Sequence, residues 1–267
     1  MPNFLLIDGS YFCFHRYFAI EQWFRLAKKD EKMDDPFQNA LFVEKFRKTF
    51  VEKIGETVKK LKVDNPIIIV GKDCPRKEIW RMKLFPEYKE NRGKDDGFMG
   101  GPFFKMAYED NLFEEGGVRL RLSYPGLEAD DCIAIAAKYI LSKYDDAKIW
   151  IIASDMDYLQ LASDKVKIFN LKYKDITESK NCFKDAEKDL FCKIVAGDKS
   201  DCIPSVFKKC GIKTAEKFWN DKDKFNKKLE EDIDAVEQYH LNKIIIDFDN
   251  IPYNLVLGFK EKYGLTD

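Results

Sequence analysis

The sequence predicts an α/β protein in which a mostly parallel sheet is flanked by helices and followed by a smaller α-helical part. Over the first two thirds of the 267 residues, apolar runs of strand length alternate with amphipathic helical segments, which is typical of a parallel sheet. After about Lys180 the pattern becomes helical and highly charged. Hydrophobic residues make up 45% of the chain, enough for one large core with a smaller companion. We therefore expect a core domain over residues 1–180 and a helical part over 181–267.

The elements of the core are predicted in order from these runs. Strands are expected at residues 3–8, 65–73, 118–122, 148–155 and 165–170. Helices are expected from about 35 to 61, from 127 to about 143 and, as a short segment, at 157–162. The first helix would be capped by Asp35, with Pro36 in its first turn. Its apolar face repeats close to once per turn and comprises Phe42, Phe46, Phe50, Ile54, Val58 and Leu61. Residues 88–102, rich in glycine and charge, are predicted to leave the sheet as an irregular excursion.

Composition disfavours several classes of protein. The N-terminus lacks the basic region of a signal peptide, and no apolar run approaches the length of a membrane span. Seven cysteines without a C-x-x-C pair indicate reduced thiols, as in a cytoplasmic protein (in the host cytoplasm if the protein is viral). The two histidines, His15 and His240, lie far apart and outside any nucleophile or zinc motif. We therefore expect a soluble monomer whose chemistry rests on carboxylates, lysines, arginines and tyrosines.

Carboxylates cluster where the predicted strands end and where helices begin. Nine of them share this placement: Asp8, Asp73, Glu128, Asp130, Asp131, Asp155, Asp157, Asp198 and Asp201. In a parallel sheet these positions face one crevice, where ligands bind. Each acid taken alone could be a turn or capping residue, but their coincidence at one edge favours divalent cations such as Mg²⁺ or Mn²⁺. Removing nine negative charges from a chain of formal net charge −1 leaves +8, so the remainder of the protein is basic.

A basic and aromatic strip follows the second predicted strand. Residues 72–94 carry eight Lys or Arg against four Asp or Glu, with Trp80, Phe85 and Tyr88 interleaved. Such a mixture suits phosphate contacts and base stacking, although a solvated lysine-rich face is the common alternative. Next to an acidic cleft it indicates phosphodiester chemistry, in which two divalent ions about 4 Å apart activate a water and stabilise the leaving oxygen. Lys89 and Arg92 would neutralise charge in the transition state, and Tyr88 would stack on a terminal base.

Several stretches of the chain resemble the flap endonuclease / 5′–3′ exonuclease family, and most closely its small bacteriophage members such as phage ribonuclease H. They are LLIDGSYF, PEYKENRG, GLEADD, ASDMDYLQL and GDKSDCIPSV, in the order and at the spacing of the family, from Asp8 to about Trp219. The resemblance implies a PIN-like core with a metal cleft beneath an arch at about residues 84–115. It places metal ligands at the nine carboxylates, catalytic roles at Tyr88, Lys89 and Arg92, and phosphate contacts at Arg81 and Lys83.

One departure from the family lies after the GDKSD stretch, in a segment that resembles a helix–hairpin–helix at about residues 198–219. Relatives usually carry G-x-G-x-K there and hold DNA backbone through a potassium ion. This chain keeps Gly211 and Lys213 but has Lys209 in place of the preceding glycine. Glycine lets backbone amides approach phosphate closely, so the substitution counts against the K⁺ site. We expect duplex to be bound here through Lys208, Lys209 and Lys213.

The resemblance implies a Mg²⁺-dependent, structure-specific 5′ nuclease of DNA replication or repair, in which Mn²⁺ can substitute. Its substrates would be DNA with a 5′ flap, nick or gap and RNA primers in RNA–DNA hybrids, with a single-strand-binding protein or sliding clamp as partners. A PIN-type ribonuclease would not need the 88–92 stretch or the helical part. A haloacid-dehalogenase-type phosphatase needs D-x-D after its first strand, where this chain has DGS. A catalytically inactive or weak nucleic-acid-binding module of the same fold would have lost carboxylates.

Overall fold

A parallel sheet forms the centre of the protein. The structure, a computed structural model, describes residues 2–29, 31, 33–92 and 97–265. Within these residues five parallel strands form one sheet in the order β3-β2-β1-β4-β5. They are β1 (Asn3–Asp8), β2 (Ile67–Gly71), β3 (Leu120–Leu122), β4 (Lys148–Ile152) and β5 (Val166–Phe169). The predicted α/β class is therefore confirmed.

The register of the three central strands brings their carboxyl ends to one level. Ile7 of β1 lies opposite Val70 of β2 and Ile152 of β4, and Asp8 lies opposite Gly71. β1 sits in the middle of the sheet, so the residues that follow all three strands meet at one edge. Asp8 is the last residue of β1 and stands at the centre of that edge.

One face of the sheet is covered by α1 (Gly9–Ala27) and α2 (Ala40–Leu61). The predicted apolar face of α2 is confirmed where Phe42, Phe46, Phe50 and Ile54 are fully buried. The helix begins later than predicted, because the Asn39 side chain accepts a hydrogen bond from the Phe42 amide at 3.0 Å. Asp35 instead caps a separate 3₁₀ turn over Pro36–Gln38.

Helix α1 has no counterpart among the predicted elements. Its apolar residues lie on more than one face: Phe12 and Tyr17 are buried, whereas Phe14 and Phe18 are 41% and 49% exposed. A helix that is apolar on several sides carries a weak period, so its sequence does not show the stripe that marked α2. It begins directly at the carboxyl edge of the sheet, where the Asp8 side chain caps it by accepting from the Tyr11 amide.

The other face is covered by α6 (Ala129–Lys143) and, from the end of the chain, by α11 (Tyr253–Tyr263). Glu128 is the N-cap of α6, so the helix starts two residues after the predicted position. Phe259 of α11 is fully buried in this layer. The C-terminal helix therefore packs on the sheet's core rather than with the preceding helices.

The helices before α11 form a second core. They are α7 (Ala186–Ala196), α8 (Ile212–Asn220), α9 (Lys222–Glu230) and α10 (Ile233–Ile246). Phe191, Phe207, Phe218 and Phe225 pack together at its centre. The predicted division of the chain into residues 1–180 and 181–267 stays a prediction. Helix α11 lies in the second of these ranges but packs in the first core. Among the described residues no helix has the length and apolar character needed to cross a bilayer.

The segment expected to form an arch, about residues 84–115, is only partly irregular. The short helix α3 (Arg81–Leu84) precedes it, and α4 (Gly101–Glu109) and α5 (Leu112–Glu115) end it. Phe103 and Phe113 are fully buried against α1 and α2, so the later half of the segment is core. Residues 93–96, inside the predicted excursion, lie outside the described residues.

Truncating Phe50 tests the contribution of the aromatic layer beneath the sheet. Phe50 is fully buried, and the centroid of its ring lies 4.9 Å from the ring centroids of both Phe12 and Phe113. We expect Phe50→Ala to lower the free energy of unfolding by about 3–5 kcal/mol. Leu26→Ala, at a site 65% exposed on α1, should change it by less than about 0.5 kcal/mol. Urea denaturation measures both; equal effects would contradict the packing described here.

Candidate active site

Two carboxylates that follow neighbouring strands open the site. Asp8 ends β1, and its second oxygen accepts from the Tyr158 hydroxyl at 2.9 Å. Asp73 follows β2, accepts from the Ala129 amide at 2.7 Å and accepts a short bond from the Ser10 hydroxyl. The Ala129 amide lies in the first turn of α6, so Asp73 also interacts favourably with the positive end of that helix.

Three more carboxylates stand at the start of α6. One oxygen from each of Glu128, Asp130 and Asp131 can be chosen so that all lie within 4.8 Å of one another. Asp130 accepts from the Asp131 amide at 2.7 Å. Glu128 and Asp131 are buried, whereas Asp130 is half-buried. We call these three residues the first acidic group.

A second acidic group forms on the other side of Asp8. Oxygens of Asp157, Asp198 and Asp201 also approach within 4.8 Å of one another. Asp155, exposed after β4, accepts from the Asp157 amide at 3.0 Å and stands beside this group. All nine carboxylates predicted from the sequence thus lie at the carboxyl edge of the sheet, and most belong to one of two groups.

Lys193 is a residue of this site that the sequence reading did not identify. Its ammonium group, on α7, lies 2.7 Å from Asp157 and forms a shorter contact with Asp198. The available signal was a single lysine in the apolar run FCKIVA, five residues before Asp198. A charge in such a run is expected to have a partner, because an unpaired buried ammonium is costly.

Repulsion between the acids shows in their pKa values. Burial and the neighbouring Asp73 raise the pKa of Asp8 to about 7. Burial and Asp155 raise the pKa of Asp157 to about 6, in spite of Lys193. The pKa of Asp130 is raised well above its usual value by burial and by Asp131 and Glu128. These carboxylates need more positive charge than the chain supplies, and an oxygen-only donor set suits a hard divalent cation.

Lys89 and Arg92 bring positive charge between the two acidic groups. The Lys89 ammonium lies 2.5 Å from Glu128 and 3.7 Å from Asp201. Burial lowers the pKa of Lys89, but Glu128, Asp130 and Asp201 outweigh it, and the net shift is upward. Arg92 is about half exposed and donates to Asp201. The expected placement of both residues at the cleft agrees with the structure.

Tyr88 and Arg81 do not occupy the positions that their predicted roles require. Tyr88 is 3% exposed, and its hydroxyl donates to Glu128 at 3.1 Å, so its ring has no face on which a base could stack. Arg81 is 2% exposed, beneath the first acidic group, and contacts carboxylates rather than solvent. Its predicted phosphate contact was wrong, because an interior guanidinium cannot reach a phosphate from outside.

The lysines assigned to nucleic-acid binding are exposed. Lys83 lies on α3, and Lys208, Lys209 and Lys213 lie around the start of α8. A cavity of about 600 Å³ extends from Asp198 and Lys193 to Lys213, so the start of α8 adjoins the second acidic group. Lys209 adopts the left-handed conformation with φ of 58°, which a glycine would take without strain. The chain thus forms at Lys209 a turn of the kind that glycine favours; the K⁺ site remains untested.

Comparison with known proteins identifies the family. Residues 3–188 match the model of the 5′-3′ exonuclease, N-terminal resolvase-like domain. A 5′-3′ exonuclease of Buchnera aphidicola is 31% identical over 268 residues, covering 96% of this chain and 84% of that protein. The chain belongs to the 5′–3′ exonuclease family. The predicted resemblance and the enzyme class, a metal-dependent phosphodiester hydrolase of this family, are therefore confirmed.

Phage proteins are also among the relatives of this family member. Ribonuclease H of Enterobacteria phage T4 is 27% identical over 268 residues, covering 90% of this chain and 84% of that protein. A flap endonuclease of bacteriophage T5, solved with DNA and metal ions, superposes with a TM-score of 0.63 over 99% of both chains at 20% identity. At that identity the likeness concerns the fold alone, and it confirms the PIN-like architecture.

The raised pKa values predict how stability depends on pH when divalent ions are removed. In the unfolded chain Asp8 and Asp157 titrate at about 4, below their folded values of about 7 and 6. The folded state therefore binds their protons more tightly, and its stability falls as the pH rises from about 4 to about 7.

We expect the urea midpoint in EDTA to decrease between pH 5 and pH 8, and to decrease less in Asp8→Asn. Saturating Mg²⁺ should remove most of the decrease, since a cation bound only by the folded state stabilises it. Identical pH profiles of wild type and Asp8→Asn would show that Asp8 does not carry the effect.

Proposed function

We propose that this member of the 5′–3′ exonuclease family is a Mg²⁺-dependent, structure-specific 5′ nuclease that uses two metal ions. The observation that carries the proposal is the position of Lys89. Its ammonium contacts Glu128 of the first acidic group and lies 3.7 Å from Asp201 of the second. A cation held between two acidic groups marks the place where the phosphate of a substrate, itself an anion, would meet both ions.

The carboxylates supply enough donors for two hard cations. In this proposal Asp8, Asp73, Glu128 and Asp130 would hold one ion, and Asp155, Asp157, Asp198 and Asp201 the other; the two acidic groups and the closeness of Asp8 to Asp73 and Asp155 support the division. Bound Mg²⁺, or Mn²⁺ in its place, would polarise the scissile phosphate and lower the pKa of an attacking water. The aliphatic and aromatic residues beneath the edge keep these oxygens fixed by packing α6 and β1 together.

Lys89 and Arg92 would act on the phosphate rather than on the metals. Lys89 adopts the left-handed conformation, and the carbonyl of Asp201 accepts from its amide at 2.9 Å, so its backbone is fixed to the second group. Arg76 donates to the carbonyls of Lys89 and Arg92 and braces the same turn. A fixed turn presents both cations to developing charge without reorganisation, which is how electrostatic stabilisation is most effective.

The proposed substrates are DNA with a 5′ flap, nick or gap and RNA in RNA–DNA hybrids. The family assignment, the solved DNA complex of the phage T5 flap endonuclease and the phage T4 ribonuclease H relative support this choice. Lys208, Lys209 and Lys213 would hold duplex backbone next to the cleft. Partnership with a single-strand-binding protein or sliding clamp stays a prediction. An inactive binding module is disfavoured, because every carboxylate that the family resemblance implies is present in the chain.

Cleavage of a 5′-labelled flap duplex tests the proposal directly. Wild type should release the label near the junction in Mg²⁺ and not in EDTA. Asp155→Asn, which removes one charge beside the second acidic group, should lower the rate at least about a hundredfold. Asp164→Asn makes the same change at an exposed carboxylate before β5, at the opposite edge of the sheet, and should cleave like wild type. Tight binding of the flap without cleavage by wild type would favour the binding module.

Lys89→Met separates charge stabilisation from substrate binding. Under single-turnover conditions we expect its cleavage rate to fall about 10²–10³-fold, because the substrate phosphate loses a fixed cation. Lys83→Met, on the exposed side of α3, should instead weaken flap binding and reduce its salt dependence. If Lys89→Met affected only binding and left the rate at saturating enzyme unchanged, the assigned role of Lys89 would be wrong.

A further inference from the structure

Arg81 uses its guanidinium to join three separate parts of the chain. Its two terminal nitrogens bind both oxygens of Asp131, at 2.8 and 2.7 Å. One of them also donates to Glu128 at 2.9 Å. Its Nε donates at 2.7 Å to the carbonyl of Ile245, in the last turn of α10, where helix carbonyls lack intrahelical partners. Arg81 thus connects α3, the start of α6 and the end of α10.

Both oxygens of Asp131 are engaged by donors from the protein, Oδ2 by three of them and Oδ1 by one. In addition to the two bonds from Arg81, it accepts from the Trp80 indole at 3.0 Å and from the Glu128 amide at 3.1 Å. The residue is 0% exposed. Its proximity to Glu128 and Asp130 therefore reflects a buried ion pair with Arg81, since a bidentate guanidinium satisfies a carboxylate more completely than a single donor does.

Glu128 is divided between the interior and the cleft. Its Oε2 accepts from Arg81 and Tyr88, both buried. Its Oε1 lies toward Lys89, at 2.5 Å, on the side of the second acidic group. Arg81 and Tyr88 therefore hold one oxygen of Glu128 inside and leave the other to the cleft. A carboxylate fixed in this way is pre-oriented as a ligand.

We infer that Arg81 is a positioning residue of the metal centre and that Asp131 is its counter-ion rather than a metal ligand. Arg81 takes Asp131 out of the donor set and orients Glu128 toward the cleft. Through the Ile245 carbonyl the same guanidinium fixes the end of α10 beneath the site. The inference rests on the proposed metal-dependent function, and it replaces the metal role assigned to Asp131 from the sequence.

Direct binding of Mn²⁺, followed by calorimetry and by the electron paramagnetic resonance signal of the free ion, tests both assignments without an activity assay. Arg81→Lys keeps the charge but cannot bind Asp131, Glu128 and Ile245 together, and should weaken Mn²⁺ binding at least about tenfold. Asp131→Asn should lower the urea midpoint yet bind as many Mn²⁺ ions as wild type. Asp130→Asn changes the neighbouring carboxylate in the same way and should weaken Mn²⁺ binding strongly, because Asp130 is a proposed ligand.

Matched controls come from a surface ion pair that contacts neither acidic group. Arg47 and Asp110 pair at 39% and 45% side-chain exposure, so Arg47→Lys and Asp110→Asn make the same chemical changes outside the proposed ligand set. Both should bind Mn²⁺ like wild type. Circular dichroism establishes which variants fold. If Arg81→Lys does not fold, the isosteric variant Asp131→Asn decides the inference alone.

Two results would overturn the inference: loss of one bound ion in folded Asp131→Asn, or wild-type Mn²⁺ affinity in Arg81→Lys. Failure of the proposed function would appear differently. Wild type that bound Mn²⁺ but cleaved no flap would contradict the nuclease proposal and leave the roles of Arg81 and Asp131 in force.

Discussion

Repulsion among carboxylates at one edge of the sheet is the constraint on which the rest of the structure depends. Two such charges roughly 4 Å apart repel by about 4 kcal/mol at the effective dielectric of a protein surface. Four cations oppose this cost: Arg81 beneath the first acidic group, Lys193 within the second, Lys89 between them, and Arg92 on Asp201. Burial and the neighbouring acids still raise the pKa values of Asp8 and Asp157, and a bound divalent cation would offset this by favouring the charged carboxylates.

The parallel sheet makes this concentration of charge possible. Strands β2, β1 and β4 end at one level, and α6 begins there, so backbone amides such as that of Ala129 point toward the carboxylates. Those amides and the positive helix terminus stabilise anions without adding side chains that would fill the cleft. The same layering covers both faces with apolar cores, which keeps the edge as the part of the sheet open to ligands.

The sequence was most informative where one residue type determines position. Strand ends and their acids were predicted because a buried apolar run stops at a charge. The roles of Tyr88 and Arg81 were not predicted correctly, because the sequence of a basic and aromatic strip does not show whether its side chains face solvent or the interior. Helix α1 was missed because its apolar residues lie on several faces and show no single stripe. Lys193 was missed although Asp198 lies five residues away, because only the packed structure shows that it also meets Asp157.

The return of α11 to the first core has a mechanical consequence. The chain enters the unit formed by α7–α10 after β5 of the sheet, and it returns to the sheet's core with α11, where Phe259 is buried. The unit is therefore attached to the core at both ends. The bond between Arg81 and the Ile245 carbonyl adds a third attachment, so a movement of this unit away from α3 would have to break a buried hydrogen bond. These attachments constrain the distance from the start of α8 to the second acidic group, with which it shares a cavity.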